Sequence, residues 1–369
     1  MTTPRSTQIS LSDTPWYHII SRCVRQAFLC GEDHFTGKSF EHRRGWIEDR
    51  ILQLAAIFAI DVAAYSVMSN HYHLVVRVDQ KRTEDWSDIE ILQRWTLLFT
   101  GPLLVQRYLT GDRKTMSESE QARVAEWVDV YRERLHDLSW FMRVLNESVA
   151  RMANVEDGCT GRFWEGRFKS QALLDDQALL MAMSYVDLNP IRAGIAETAE
   201  QSDHTSVKQR IDDVQQICER QNTEINQQVA KISDSITETP LRGDDLRCEG
   251  ELSHLAPAPL MPFDPTASLA TTIPFAFDDY LELVDSLGRV VHPAKRGVIP
   301  EKTPVILTQL NIDAETFINC ADHFLKDFGS AIGTPTNMLA LAATRQNRYL
   351  RGISTARLLF DKKILQPAA

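Results

Sequence analysis

The 369-residue chain reads as an α+β protein built on an antiparallel sheet. Three observations predict this. Residues 62–67 and 71–78 have strand composition and are separated by the short polar turn Ser69-Asn70, which is a hairpin signal. Residues 45–60 and 138–152 carry apolar side chains at helical spacing, among them Trp46, Ile47, Ile51 and Leu52, then Phe141, Met142, Leu145 and Val149. A strand over 16–22 precedes them, and a loop at 155–161 leads into a strand over 161–174 that is followed by a helix. Strand, helix, hairpin, helix, strand, helix is the order of a ferredoxin-like unit, with helices packed on an antiparallel sheet.

The remaining elements follow in order. Residues 80–136 form a charged, mostly helical insertion, broken once near Gly101-Pro102. A structural lid is the simpler expectation for it, and contact with hairpin DNA the sharper one. The helix after the last strand opens on Asp175-Asp176, acidic as suits a helix N-terminus. Pro190 disfavours the α conformation at Asn189, so the helix is expected to stop there. Residues 206–236 are polar, Gln-rich and spaced as a surface helix or short coiled coil, and 237–273 are linker-like in Pro, Asp and Thr. The remainder reads as a small α-helical domain, with helices around 277–286, 303–310, 314–326 and 338–348. Its Arg345, Arg348, Arg351 and Arg357 are a candidate phosphate-binding face or, more simply, a solvated one. The expected division is therefore 1–205, 206–273 and 274–369.

A hydrophobic content of 43% with 24% charged residues is that of a soluble globular protein. No apolar leader and no run long enough to span a bilayer is seen, and six cysteines without a CxxC pair suit reduced thiols, so a cytoplasmic location is expected. The net charge of −10 argues against indiscriminate duplex binding, because phosphates are held chiefly by Lys and Arg. It leaves room for a local basic site on an acidic body.

Chemistry concentrates in two segments. In Val67-Met68-Ser69-Asn70-His71-Tyr72-His73-Leu74-Val75-Val76-Arg77, strand alternation puts His71 and His73 on one face and Tyr72, Leu74 and Val76 on the other. Two neutral imidazoles at that spacing are a ready pair of metal ligands, although a satisfied or solvent-facing pair is the blander alternative. In Ser184-Tyr185-Val186-Asp187-Leu188-Asn189-Pro190-Ile191-Arg192-Ala193-Gly194, Tyr185 and Asn189 are four apart on one helical face. They offer a hydroxyl nucleophile and, one turn later, an amide oxygen able to ligate a hard cation. Tyr65, Tyr72 and Tyr131 are the other tyrosines to weigh.

Together these segments resemble the single-tyrosine HUH transposases, and within them the REP-associated tyrosine transposases. The resemblance rests on the His-hydrophobic-His strand and the Tyr-x-x-x-Asn-Pro-x-Arg-Ala-Gly helix end, with Trp16-Tyr17-His18-Ile19-Ile20-Ser21-Arg22 and Gly161-Arg162-Phe163-Trp164-Glu165-Gly166-Arg167-Phe168-Lys169-Ser170 in the family's order. It covers about the first 205 residues and implies an HUH nuclease core. Tyr185 would attack single-stranded DNA to give a 5′-phosphotyrosine, and His71, His73 and Asn189 would hold Mg²⁺ or Mn²⁺. Asn189 replaces the Gln frequent in insertion-sequence relatives and is one methylene shorter, so the helix should approach the sheet more closely. Arg162, Arg167, Lys169, Arg77 and Arg192 are the candidate DNA contacts, with Phe163 and Trp164 as base-stacking or core aromatics. The implied partners are single-stranded or hairpin DNA and a possible second copy, with nucleoid association and no membrane. Two alternatives stand beside this: a domesticated, non-catalytic hairpin-binding protein, and a metal-dependent hydrolase of another substrate.

Overall fold

The computed structural model describes residues 8–24, 29–32, 37–231, 256–268, 271–291, 304–320 and 324–360. They form a mixed α+β fold on a five-stranded sheet: β1 Trp16–Arg22, β2 Ile60–Val67, β3 His71–Val78, β4 Lys169–Leu173 and β5 Ala331–Ile332, in the order β2-β3-β1-β4-β5. Each hydrogen-bonded pair among the first four strands is antiparallel, and β5 joins β4 in parallel. The helices are α1 His42–Ile57, α2 Gln80–Asp85, α3 Asp88–Thr96, α4 Leu103–Leu109, α5 Glu118–Leu135, α6 Leu138–Glu156, α7 Asp176–Asp187, α8 Asn189–Arg192 and α9 Ser206–Lys231. The C-terminal region adds α10 Phe277–Val291, α11 Val305–Gln309, α12 Ala314–Cys320, α13 Phe324–Asp327, α14 Pro335–Thr344 and α15 Ile353–Phe360.

Side-chain alternation divides the sheet into two differently used faces. Tyr17, Ile19, Tyr72, Leu74 and Val76 are fully buried on the face covered by α1 and α6. There Asn146 of α6 donates to Ser21 Oγ and accepts from the Tyr72 hydroxyl. The opposite face carries His18, His71, His73 and Gln171, and α7 packs across it. The free edge of β2 is covered by chain that returns from far along the sequence. Val67 N donates to His204 O, Tyr65 N to Ser206 Oγ, and Met261 N donates to Val62 O, so the edge offers little template for further pairing.

Several expectations change in detail. The strand expected over 161–174 contracts to Lys169–Leu173. Gly161 lies at φ 115°, which breaks an extended run, and only an isolated bridge from Trp164 to Cys23 remains of the earlier part. Pro190 does not end the helical path. α7 stops at Asp187, Leu188 stays in the right-handed region at φ −83°, ψ −3°, and α8 begins with Pro190 in its first turn, where no N–H is required. Arg192 supports this turn by donating to Tyr185 O at 3.0 Å. The C-terminal region is not purely helical, because β5 extends the sheet. It had no periodic signal: two residues are too few to show alternation. Of the expected linker, 237–255 and 269–270 lie outside the described residues, whereas Ala258 N donates to Leu52 O. Cys23, Cys30, Cys159 and Cys218 form no disulfide among the described residues, and Cys248 lies outside them. Among the described residues no helix is long and apolar enough to cross a membrane.

Two carboxylates bind these parts together. Asp175 caps α7 through Ala178 N and also accepts from Thr334 N at 2.6 Å and Asn337 Nδ2 at 2.9 Å, joining α7 to the start of α14. Asp187, fully buried at the end of α7, accepts from Ser206 Oγ, from Val207 N at 3.1 Å and from the Tyr280 hydroxyl. Burial pushes its carboxyl above the usual range, and these donors oppose that shift. One side chain thus fixes the ends of α7, α9 and α10 relative to each other. Asp187→Ala should lower unfolding free energy by about 3 kcal/mol, because three donors lose a charged acceptor inside the protein. Denaturant melts should show a lower midpoint at unchanged slope.

Candidate active site

β1 and β3 pair with His18 opposite Val75 and Ile20 opposite His73, so His18 and His73 are diagonal neighbours on one face. Their rings stack with centroids 5.2 Å apart, and His18 Nε2 lies 2.9 Å from His73 Nδ1. On the other side of β1, His18 faces Gln171 of β4, with Nδ1 2.9 Å from Oε1. His71, the first residue of β3, meets the His73 ring edge-on at 4.9 Å and places Nδ1 2.5 Å from Asn70 Oδ1. Nε2 of His71 and of His73 makes no hydrogen bond among the described residues.

Burial keeps these rings neutral. Desolvation pulls the pKa of His18 down to about 4 and that of His71 to about 4, the latter helped by Arg22 and Lys326. Desolvation also drives His73 well below the ordinary imidazole range, with His18, His71, Arg192 and Arg22 adding to it. At neutral pH each ring therefore has one N–H and one lone pair.

α7 brings Tyr185 to this face. Its ring stands edge-on to His73 at 5.8 Å and to His18 at 6.5 Å, within the same chain. The guanidinium of Arg192, about two turns onward, lies 3.9 Å from the centre of the Tyr185 ring. The Tyr185 hydroxyl has no hydrogen-bond partner among the described residues. The three other tyrosines weighed as nucleophiles are committed elsewhere. Tyr72 donates to Asn146, Tyr65 to Glu48, and Tyr131 stacks on Trp95 at 4.7 Å. Asn189, 7% exposed, accepts a long 3.4 Å bond from Arg192, while its amide nitrogen is buried without a partner.

The structure thus gathers His71, His73, Tyr185, Asn189 and Arg192 at one place. The other basic candidates scatter. Lys169 is exposed at the start of β4 on the site face, and Arg167 is exposed just before it. Arg162 donates to the carbonyls of Trp164 and Glu165, holding its own loop. Arg77 pairs with Asp61 and Asp79, four residues and roughly 13 Å along the strand from His73. Phe163 is buried, and Trp164 packs on Tyr72 and donates to Asn146 O, so both lie on the far face of the sheet. In the C-terminal region, Arg345 pairs with Asp13 and Arg351 donates to Lys326 O.

Sequence reasoning missed His18, Gln171, Arg22 and Lys326. The alternation of β1 offered a signal for His18 and Arg22, which share a face. Gln171 needed the register, and nothing marked Lys326 beforehand.

The donor set can be tested for a divalent cation. Two Nε2 lone pairs on neutral rings suit one, and the Asn189 atom able to join them is Oδ1, held by a long 3.4 Å bond from Arg192; its orphaned Nδ2 is a donor and has no part in binding a cation. Among the described residues no group of three or more His, Cys, Asp and Glu side chains is arranged to hold a metal.

No family model matches the chain, and no curated protein matches it either. Among solved structures, one of a REP-associated tyrosine transposase bound to a REP hairpin aligns over 57% of this chain and 86% of that one, at 10% identity and a TM-score of 0.33.

The site leans on a tight contact in the C-terminal region. Gly352, at φ 105°, sits against Phe328, and a Cβ added there would lie 2.4 Å from Phe328 Cδ1. The carbonyls of Phe328 and Gly329 face the Gln171 amide. Gly352→Ala should cost roughly 2–4 kcal/mol through left-handed strain and overpacking, read as a lowered melting temperature.

Proposed function

We propose that the chain is a transposase-like DNA nuclease and strand transferase, a ferredoxin-like HUH core that cleaves and rejoins single-stranded DNA through a covalent bond to Tyr185. The observation that carries this reading is the meeting of an unpartnered tyrosine hydroxyl with the paired imidazoles of His71 and His73 on one sheet face, the Tyr185 and His73 rings 5.8 Å apart. The strand order β2-β3-β1-β4 with α1 and α6 on the other face supports the core assignment.

The chemistry asks for a nucleophile in line with the leaving oxygen and for stabilisation of charge on the phosphoryl oxygens. Tyr185 Oη bonds to phosphorus, the bond to the 3′-oxygen breaks, the phenol gives up its proton, and the departing 3′-oxygen takes one up. A 5′-phosphotyrosine and a free 3′-hydroxyl result. Attack by that or another 3′-hydroxyl reverses the step and joins strands, with the phosphodiester energy retained throughout. His71 and His73 would hold Mg²⁺ or Mn²⁺ through Nε2, with Asn189 as the third ligand. A divalent ion there, when bound, polarises the scissile phosphate and screens its charge. Arg192 fixes the tyrosine ring and helix end and adds positive charge beside the phosphate. Arg22, Lys169 and Lys326 supply further cations for the strand on this face. On this reading His71, His73, Tyr185 and Asn189 act from the same chain, with a second copy a possible partner.

Covalent trapping tests this. Protein incubated with Mn²⁺ and labelled single-stranded hairpin DNA from the flanks of its own gene should give an adduct stable on denaturing gels. Tyr185→Phe should abolish the adduct, and His73→Ala should reduce it at least a hundredfold while leaving the fold intact. Tight hairpin binding without any adduct would replace this reading with that of a non-catalytic DNA-binding protein.

A further inference from the structure

The hydrogen bonds around His73 run in one direction only. The chain starts at Phe328 O and Gly329 O, backbone carbonyls that can only accept. Gln171 Nε2 lies 2.9 Å from Gly329 O and 3.5 Å from Phe328 O, so this end of the amide is the NH₂ group. The other end, Oε1, is therefore the acceptor that faces His18 Nδ1 at 2.9 Å. His18 Nδ1 must carry the proton. The ring is fully buried, and its only hydrogen-bond and ring partners among the described residues are Gln171, His73 and Tyr185, with no carboxylate to balance a charge, so it is neutral. Its Nε2 holds the lone pair, and the partner 2.9 Å away, His73 Nδ1, must be the donor. This leaves the lone pair of His73 on Nε2. The neutral histidine side chain in water favours the opposite tautomer, with the proton on Nε2, so the arrangement is imposed by its surroundings.

We infer that Gln171 and His18 are positioning residues: they relay the polarity of two backbone carbonyls in the C-terminal region to His73 and fix its Nε2 as the ligand nitrogen. The role rests on the metal-binding reading of His71 and His73 given above; the tautomer itself does not. The relay spans three strands and ends on the segment just before β5, held there by Gly329 N donating to Arg351 O at 3.1 Å. It thereby gives the C-terminal region a part in the site that the first 205 residues cannot supply themselves. A metal-ligating histidine is ordinarily oriented by one acceptor on its other nitrogen. Here that acceptor is a second histidine, which is itself set by a third group.

The test reads the tautomer directly in the metal-free, full-length protein. Long-range ¹H–¹⁵N spectra of histidine-labelled protein at pH 7.5, with rings assigned by single substitutions, should show both His18 and His73 protonated on Nδ1. Gln171→Met removes donor and acceptor together at similar length. It should turn His18 and His73 into tautomer mixtures and weaken Mn²⁺ binding, followed by electron paramagnetic resonance, about tenfold or more. A packing role alone would not move the tautomer while backbone spectra and melting temperature hold. Wild-type His73 found protonated on Nε2 would overturn the relay with no variant needed, and so would an unchanged His73 tautomer in a folded Gln171→Met protein. Failure of the wild type to bind Mn²⁺, with His73 still protonated on Nδ1, would overturn the ligand role and the metal reading while leaving the hydrogen-bond chain standing.

Discussion

Everything at the site depends on the register of β1, held between β3 and β4. A strand repeats every two residues, so a slip of one would exchange its faces and put Tyr17 and Ile19 where His18 and Ile20 now stand. The apolar face prevents this. Tyr17 and Ile19 are fully buried against the α1 and α6 side, and the Tyr17 hydroxyl donates to Ser10 O at 2.8 Å while accepting from Ser10 N. Thr14 Oγ1 donates to Leu173 O at 2.6 Å just ahead of the strand, pinning its start to the end of β4. The histidine face is thus positioned by packing on the other side of the sheet.

The second constraint is how α7 is held across that face. Its first turn is fixed by Asp175, shared with α14, and its last by Asp187, shared with α9 and α10. Tyr185 sits between these two anchors, and the helical path continues through Leu188 into α8 so that Asn189 follows it by one turn. Both anchors draw partners from beyond residue 200. The regions after the minimal core therefore define where the tyrosine helix lies, and β5 and its preceding carbonyls reach the histidines through Gln171.

Much of this was legible in the sequence where periodicity is strong. The hairpin of β2 and β3, the helices α1 and α6, and the facing of His71 and His73 away from Tyr72 follow from alternation and helical spacing alone. What was not legible depends on partners distant in sequence. His18 is one of seven residues in a strand and acquires meaning only when Gln171 and His73 are known to flank it. Arg77 looked basic and close to the motif, yet distance along a strand grows with every residue, and Asp61 and Asp79 claim it. The pre-proline preference at Asn189 was overridden because a new turn can begin on a proline. β5 was invisible because Ala331-Ile332 is too short to carry a pattern.

On the proposed reading, the electrostatics of the site explain how an acidic chain would still take up DNA. The net charge of −10 repels a polyanion at long range, where solvent and salt weaken it. At short range the sign reverses, because Arg22, Lys326 and Arg192 act on the His71 and His73 rings and oppose their protonation. The same cations oppose a divalent ion entering alone. On the proposed reading, a phosphate arriving with the metal removes that opposition, since its negative charge answers both. Metal and DNA then strengthen each other's binding by the same free energy, as linkage requires. On that reading, neutral imidazoles ringed by cations bind a metal on their own and bind it more tightly once its phosphate is in place.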